Sequence, residues 1–141
     1  MIRVFWDTNL FIYMLEDYGP LTRQVRILLA RVEERNARIV TSTMTLGELL
    51  IGPLRKGRED LAKEYQGILS SEAVTLVPFD QQSAWHYARI RLDKSIARAD
   101  AIQLACAAQA RCDLFITNDE RLSRKIIPGI QFIVPLAKAF L

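Results

Sequence analysis

Hydrophobic residues along this chain recur in two forms. Some sit in short runs rich in β-branched and aromatic side chains, and others return every three or four residues over longer stretches. The first run, Ile2 to Trp6, is followed at once by Asp7-Thr8-Asn9, residue types that cap helices. It predicts a buried strand leading into a helix over Leu10 to Leu15. Gly19-Pro20 breaks the pattern. From Leu21 to Asn36, Val25, Leu28, Leu29 and Val32 fall at helical spacing with Arg and Glu between them. Ile39 to Thr41 predicts a second strand. Ser42 or Thr43 is placed to cap a helix carrying Leu46, Glu48, Leu49, Leu50 and Ile51, which Gly52-Pro53 should end or bend. Arg58 to Leu69 reads as helix and Val74 to Val77 as a third strand. Asp80 caps a helix running to about Leu92, and Ala99 to Ala110 is an Ala-rich helix with Ile102, Leu104 and Ala105 on its apolar side. Leu114 to Ile116 predicts a fourth strand, ended by Thr117-Asn118-Asp119 and followed by a short helix through Leu122. A fifth strand over Gln131 to Val134 and a helical turn within Pro135 to Phe140 complete the chain.

Strands that alternate with helices imply an α/β fold with a mainly parallel sheet. The 141 residues, half of them hydrophobic, make one domain with a proper core. The most linker-like stretch, Gly52 to Gly57, is too short to divide it. Cys106 and Cys112 form no Cys-x-x-Cys pair, which excludes a disulfide framework and a zinc-ligand pattern and fits a reducing, cytoplasmic setting. No segment approaches the roughly 18 apolar residues that span a membrane. Leu10 to Leu15 is too short for a signal-peptide core, so the N-terminus reads as mature protein.

The position of the acids carries more information than their number. Asp7 directly follows the first strand and Asp119 lies shortly after the fourth. In a parallel sheet both fall at the carboxyl edge, where ligands bind in open α/β folds. Glu48 and Asp100 sit early in apolar helices, among Leu46, Leu49 and Leu50 and among Ala99, Ala101 and Ile102. A carboxylate so placed is partly buried and calls for a partner charge or a metal. Four gathered carboxylates repel one another, and two Mg²⁺ or Mn²⁺ ions would cancel their charge. Such a site suits phosphodiester hydrolysis without a His, Ser or Cys nucleophile, which matters in a chain with one histidine. Each acid also has a simpler role open to it: Asp7, Asp100 and Asp119 as helix caps or first-turn charges, Glu48 as a surface acid.

Four segments taken together resemble a known family. They are Phe5-Trp6-Asp7-Thr8-Asn9, Thr43 to Leu50 with Gly47-Glu48-Leu49-Leu50, Ala99-Asp100-Ala101-Ile102-Gln103-Leu104-Ala105, and Leu114-Phe115-Ile116-Thr117-Asn118-Asp119. In this order and spacing the chain is similar to PIN domains, and in particular to the VapC-type ribonuclease toxins of prokaryotic toxin–antitoxin pairs. The resemblance implies a three-layer fold with a five-stranded parallel sheet in the order 3-2-1-4-5, and a switch point between strands one and four. It implies a Mg²⁺- or Mn²⁺-dependent endoribonuclease with Asp7, Glu48, Asp100 and Asp119 as metal-binding catalytic acids. Thr8, Asn9, Thr117 and Asn118 match supporting polar positions that would orient carboxylates or waters. The family often carries a small residue where Asn118 stands, so Asn118 either adds a polar contact or caps the following helix. The resemblance further implies an RNA substrate, a cognate antitoxin whose tail would bring a basic residue to the acidic site, and a homodimer.

Charge adds one expectation. With the four candidate ligands set aside, 12 acids face 19 bases, and 14 of those bases are arginine, the better residue for bidentate phosphate contacts. Arg89, Arg91, Lys94 and Arg98 precede Asp100, and Arg55, Lys56 and Arg58 form a second group; both could contact an RNA backbone or simply be solvated. Asp93, among Arg89, Arg91 and Lys94, reads as a surface acid. His86 reads as a packed or surface residue rather than a general base, and Trp6 and Cys106 as core. Tyr13, Met14 and Tyr18 suit a protein interface. Rival readings are a PIN-like module that binds RNA or protein without catalysis, and an RNA-processing nuclease with no antitoxin. A phosphatase acting through an aspartyl phosphate would want an acid where Asn9 stands, and a dinucleotide fold would want a Gly-rich loop after the first strand.

Overall fold

The computed structural model describes residues 1–141. Its elements are β1 (Arg3–Trp6), α1 (Thr8–Leu15), α2 (Pro20–Glu34), β2 (Arg38–Ser42), α3 (Thr43–Arg55), α4 (Glu59–Leu69), β3 (Val74–Val77), α5 (Gln81–Ile90), α6 (Arg98–Gln109), β4 (Leu114–Thr117), α7 (Glu120–Ser123) and β5 (Phe132–Pro135), with a 3₁₀ turn at Leu136–Lys138. The strands form one sheet in the order β3-β2-β1-β4-β5, every pair parallel. Sheet order and strand number match the expectation from sequence.

Alternation along the strands divides the core in two. Val4 and Trp6 face one side with Leu114 and Ile116, against α1, α2 and α4 through Leu10, Phe11, Val25, Tyr65 and Leu69. Phe5 and Phe115 face the other side, stacked nearly parallel with ring centroids 5.0 Å apart, and pack on α6 and Ile90. The small side chains of Ala101, Ala105 and Ala108, all buried, let α6 approach the sheet closely. Trp6 and Cys106 are wholly buried, as read from sequence. No helix is long and apolar enough to cross a membrane.

Three local readings are sharpened. The break read at Gly19-Pro20 does fall between α1 and α2, with Pro20 itself opening α2, because the first helical position needs no backbone N–H. Gly52-Pro53 does not end α3, which continues to Arg55 with Pro53 inside. Packing of Leu49 and Pro53 into the interior outweighs the lost hydrogen bond. The helix starting at Asp119 is capped by Asp119 itself, whose carboxylate accepts from the Arg121 N–H, rather than by Asn118.

One turn depends on glycine. Gly129 has φ +98°, and a Cβ there would lie 3.1 Å from both the Cβ and the carbonyl oxygen of Ala108. Gly129→Ala is therefore expected to lower stability by more than about 1 kcal/mol, read as a lower midpoint in thermal unfolding.

Candidate functional site

The site is built at the sheet's switch point. β1 and β4 are neighbours with Trp6 paired to Ile116, and the Asp7 N–H extends that ladder to the Ile116 carbonyl at 3.3 Å. Asp7 thus emerges beside Thr117. Its carboxylate caps α1, with Oδ1 accepting from the Thr8 N–H at 2.8 Å and Oδ2 accepting from Thr117 Oγ1 at 3.3 Å. Thr117 is fully buried and its hydroxyl also accepts from the Asp119 N–H at 3.1 Å, so one side chain orders both acids at this edge. Thr8 Oγ1 donates to Glu48 Oε1 at 2.8 Å, joining the start of α1 to the middle of α3. Asp100, in the first turn of α6, lines a cavity of about 430 Å³ with Asp119 and Arg121.

The charges of the acids reach one another through Asp100, which acts on Asp7 and is itself acted on by Asp119 and Glu48. Burial pushes the Asp7 carboxyl up to about 6, and the nearby charges of Asp100 and Glu48 add to the rise. Hydrogen bonds from Thr8 and Thr117 oppose the shift and do not overcome it. Asp100 is also raised, first by burial, then by Asp119 and Glu48. Asp119 behaves differently. It forms an ion pair with Arg121 at 3.2 Å, and that hydrogen bond above all holds its carboxyl below the usual range.

The donor set is all oxygen, with no cationic side chain neutralising Asp7, and such a set fits a hard divalent cation. As they stand, no three Asp, Glu, His or Cys side chains are close enough together to hold a metal ion between them. An open arrangement is compatible with Mg²⁺, which keeps several waters and takes few protein ligands.

The supporting residues divide. Thr8 and Thr117 contact the acids as described. Asn118 Nδ2 donates to the Tyr13 hydroxyl at 3.1 Å, a polar contact with α1 rather than with a carboxylate. Asn9 is exposed and no hydrogen bond joins its side chain to the acids. Tyr13 is buried against Tyr18, with ring centroids 5.2 Å apart.

The basic groups proposed for RNA also divide. Arg91 donates to the Ile96 carbonyl at 2.7 Å and staples the turn before α6. Arg58 pairs with Asp60 at 3.0 Å in the first turn of α4, and Arg89 lies over the Trp85 ring, 5.7 Å from its centroid. Arg55, Lys56, Lys94 and Arg98 are exposed. Asp93 is exposed, as read from sequence, and accepts from Lys125 at 2.9 Å in a cross-loop ion pair. His86 lines a second cavity of about 550 Å³ with Arg89 and Ile127, which adjoins the first through Arg124 and Lys125 but holds none of the four acids.

Two features escaped the sequence reading. Arg121, Arg124 and Lys125, not Arg89, Arg91, Lys94 or Arg98, line the cavity that holds Asp100 and Asp119. Gln103, one turn beyond Asp100, is buried and donates to Thr8 Oγ1 and Thr45 Oγ1. Its signal in the sequence was a lone amide on the buried side of an otherwise apolar, Ala-rich helix.

Comparison with known proteins accords with this architecture. The structure is similar to a chain of VapBC2 from Rickettsia felis bound to a promoter DNA fragment, with 19% identity, TM-score 0.74, and coverage of 95% of this chain and 98% of that one. It is similar to a chain of DNA-bound VapBC from Salmonella typhimurium, with 22% identity, TM-score 0.75, and coverage of 96% and 99%. VapBC-5 from Mycobacterium tuberculosis gives 20% identity, TM-score 0.60, and coverage of 96% and 99%. These likenesses establish the fold. Among curated proteins none matches the sequence. The PIN domain family model matches residues 4–126, which spans all four acids and every strand but the last, and on that match the chain belongs to the PIN domain family.

Proposed function

We propose that the protein is a Mg²⁺- or Mn²⁺-dependent endoribonuclease, the toxin of a toxin–antitoxin pair. The observation that carries this reading is the buried carboxyl of Asp7 at the sheet's carboxyl edge, raised to about 6 first by burial and further by the charges of Asp100 and Glu48. Groups kept at such a cost to their ionised form are typical of functional sites. Asp7, Glu48 and Asp100 would hold the metal. Asp119 would join once its pairing with Arg121 is exchanged for the cation.

When bound, the metal supplies an activated water nucleophile and Lewis-acid charge for phosphodiester cleavage. The chain's own residues do the rest. Thr117 and the Thr8 N–H aim the two oxygens of Asp7, and the Thr8 hydroxyl holds one oxygen of Glu48. Arg124 and Lys125 line the approach beside Asp100 and Asp119, where a phosphate backbone would find them. Arg121 is placed to take a substrate phosphate when it releases Asp119.

The antitoxin is proposed from the kind of complexes its structural neighbours form. A homodimer is proposed from exposed apolar side chains, notably Trp85, Leu92 and Ile126. A cytoplasmic location fits two buried, unpaired cysteines.

The test is incubation of purified protein with a mixed single-stranded RNA pool, in Mn²⁺ or in EDTA. Cleavage confined to the Mn²⁺ sample is expected. Equal absence of cleavage from protein shown by mass spectrometry to carry no bound partner would favour a PIN module that binds without catalysis.

A further inference from the structure

We propose that Gln103 is a positioning residue that, acting through Thr8, fixes the Glu48 carboxylate for metal binding; this rests on the reading of Glu48 as a ligand. Gln103 lies in α6 and is 2% exposed, beneath the site rather than in it. Its amide meets three hydroxyls. Ser42 Oγ donates to Gln103 Oε1, and Gln103 Nε2 donates to Thr45 Oγ1 at 2.7 Å and to Thr8 Oγ1 at 3.3 Å.

The direction of each proton follows from what lies at the ends. Thr41 Oγ1 is 2.9 Å from the Trp6 carbonyl, which can only accept, so the Thr41 proton goes there. Thr41 and Thr45 hydroxyls are 2.8 Å apart, so Thr45 donates to Thr41. Thr45 Oγ1 must then accept from an amide N–H, which sets the Gln103 orientation. Thr8 Oγ1 faces Glu48 Oε1, also acceptor-only when ionised, at 2.8 Å. With an N–H of Gln103 on its other side, the Thr8 hydroxyl has one use for its proton, and that is Glu48. Were the amide reversed, its carbonyl oxygen would compete for that proton and Glu48 would lose its anchor.

Ser42 serves as the latch. Its hydroxyl donates to Oε1 while accepting from the Thr45 N–H at the start of α3, so it has no other proton to give. Ser42, Thr45 and Gln103 are all buried, so no water is at hand to replace a lost partner. Residues that orient a metal's ligands commonly change its affinity when removed, by about 10–100-fold.

The experiment measures Mn²⁺ affinity by calorimetry, with thermal unfolding in parallel, for wild type, Gln103→Met, Thr8→Val, their double variant and Ser42→Ala. Gln103→Met is expected to weaken Mn²⁺ binding by about tenfold or more. The double variant is expected to bind no more weakly than Thr8→Val alone, because the link is already cut, although its stability falls further. Ser42→Ala touches neither Thr8 nor Glu48, yet by releasing the amide it is expected to weaken Mn²⁺ binding too. It decides the matter if Gln103→Met does not fold. Wild type that binds no Mn²⁺ overturns the metal reading and the positioning role with it. Wild type that binds Mn²⁺, with Ser42→Ala and any folded Gln103→Met binding equally well, overturns the positioning role alone, whatever happens to stability.

Discussion

Asp7→Asn is expected to make the metal-free protein more stable than wild type at neutral pH, by up to about 3 kcal/mol. The carboxyl rises from an ordinary 3.8 to about 6 on folding, chiefly through burial, and each unit corresponds to about 1.36 kcal/mol. The sign is fixed by proton linkage. Between the unfolded and folded values the native state binds the extra proton, so its stability falls as pH rises from about 4 to about 6 and stays low above that. Asn keeps an acceptor for the Thr8 N–H and carries no charge to desolvate. The difference between variant and wild type is the diagnostic quantity, since acids remote from Asp7 such as Asp93, held down to about 2 by Ser95 and Lys125, cancel in it. Urea unfolding across this pH range, with EDTA present, measures it. A destabilised Asp7→Asn at neutral pH would mean that Asp7 serves the fold as a cap and little else. Added Mn²⁺ is expected to reverse the order, because a bound cation stabilises wild type by mass action and lowers the cost of the buried charge.

Asp100→Asn is expected to reduce Mn²⁺-dependent RNA cleavage by at least about a hundredfold while leaving the fold intact. Loss of a residue that merely supports a ligand can cost about 10–100-fold, so loss of a ligand should cost no less. The fold should survive for two reasons. Asp100 sits in the first turn of α6, where Asn is tolerated, and its carboxyl is raised by burial and by Asp119, so removing the charge relieves repulsion. His86→Ala is the matched control. His86 lines the adjoining cavity, which holds none of the four acids, and its replacement is expected to leave the cleavage rate near wild type. Cleavage by Asp100→Asn at the wild-type rate would remove Asp100 from the site.

What could be read from the chain was whatever depended on near neighbours in sequence. Val74 to Val77 announces its strand by β-branching, and Asp80 and Ser42 announce their helices because a cap needs only the next three residues. The four acids were legible because each stands at an element boundary or in an apolar helix, where a charge is out of place. Their assembly in one place was implied by the family resemblance and the expected strand order; it follows from β1 lying beside β4, which composition alone does not state.

The tertiary structure decided the partners. Gln103 reaches Thr8 across 95 positions and Ser42 across 61, and no periodicity in the sequence links them. Asp100 and Asp119 line one cavity with Lys125, which no spacing in the sequence brings together. The arginines before α6 read as candidates for RNA from charge alone, yet Arg91 spends its guanidinium on a backbone carbonyl once the turn closes. Helix and strand formation is local, governed by spacing and caps. A buried polar group must instead find a partner wherever the fold brings one, because an unsatisfied donor or acceptor costs about 1–3 kcal/mol. The sequence by itself therefore determined the elements and the acids at their ends, and the tertiary packing, β1 beside β4 with Thr117 between them and α6 behind Thr8, decided what holds Asp7 and Glu48 in place.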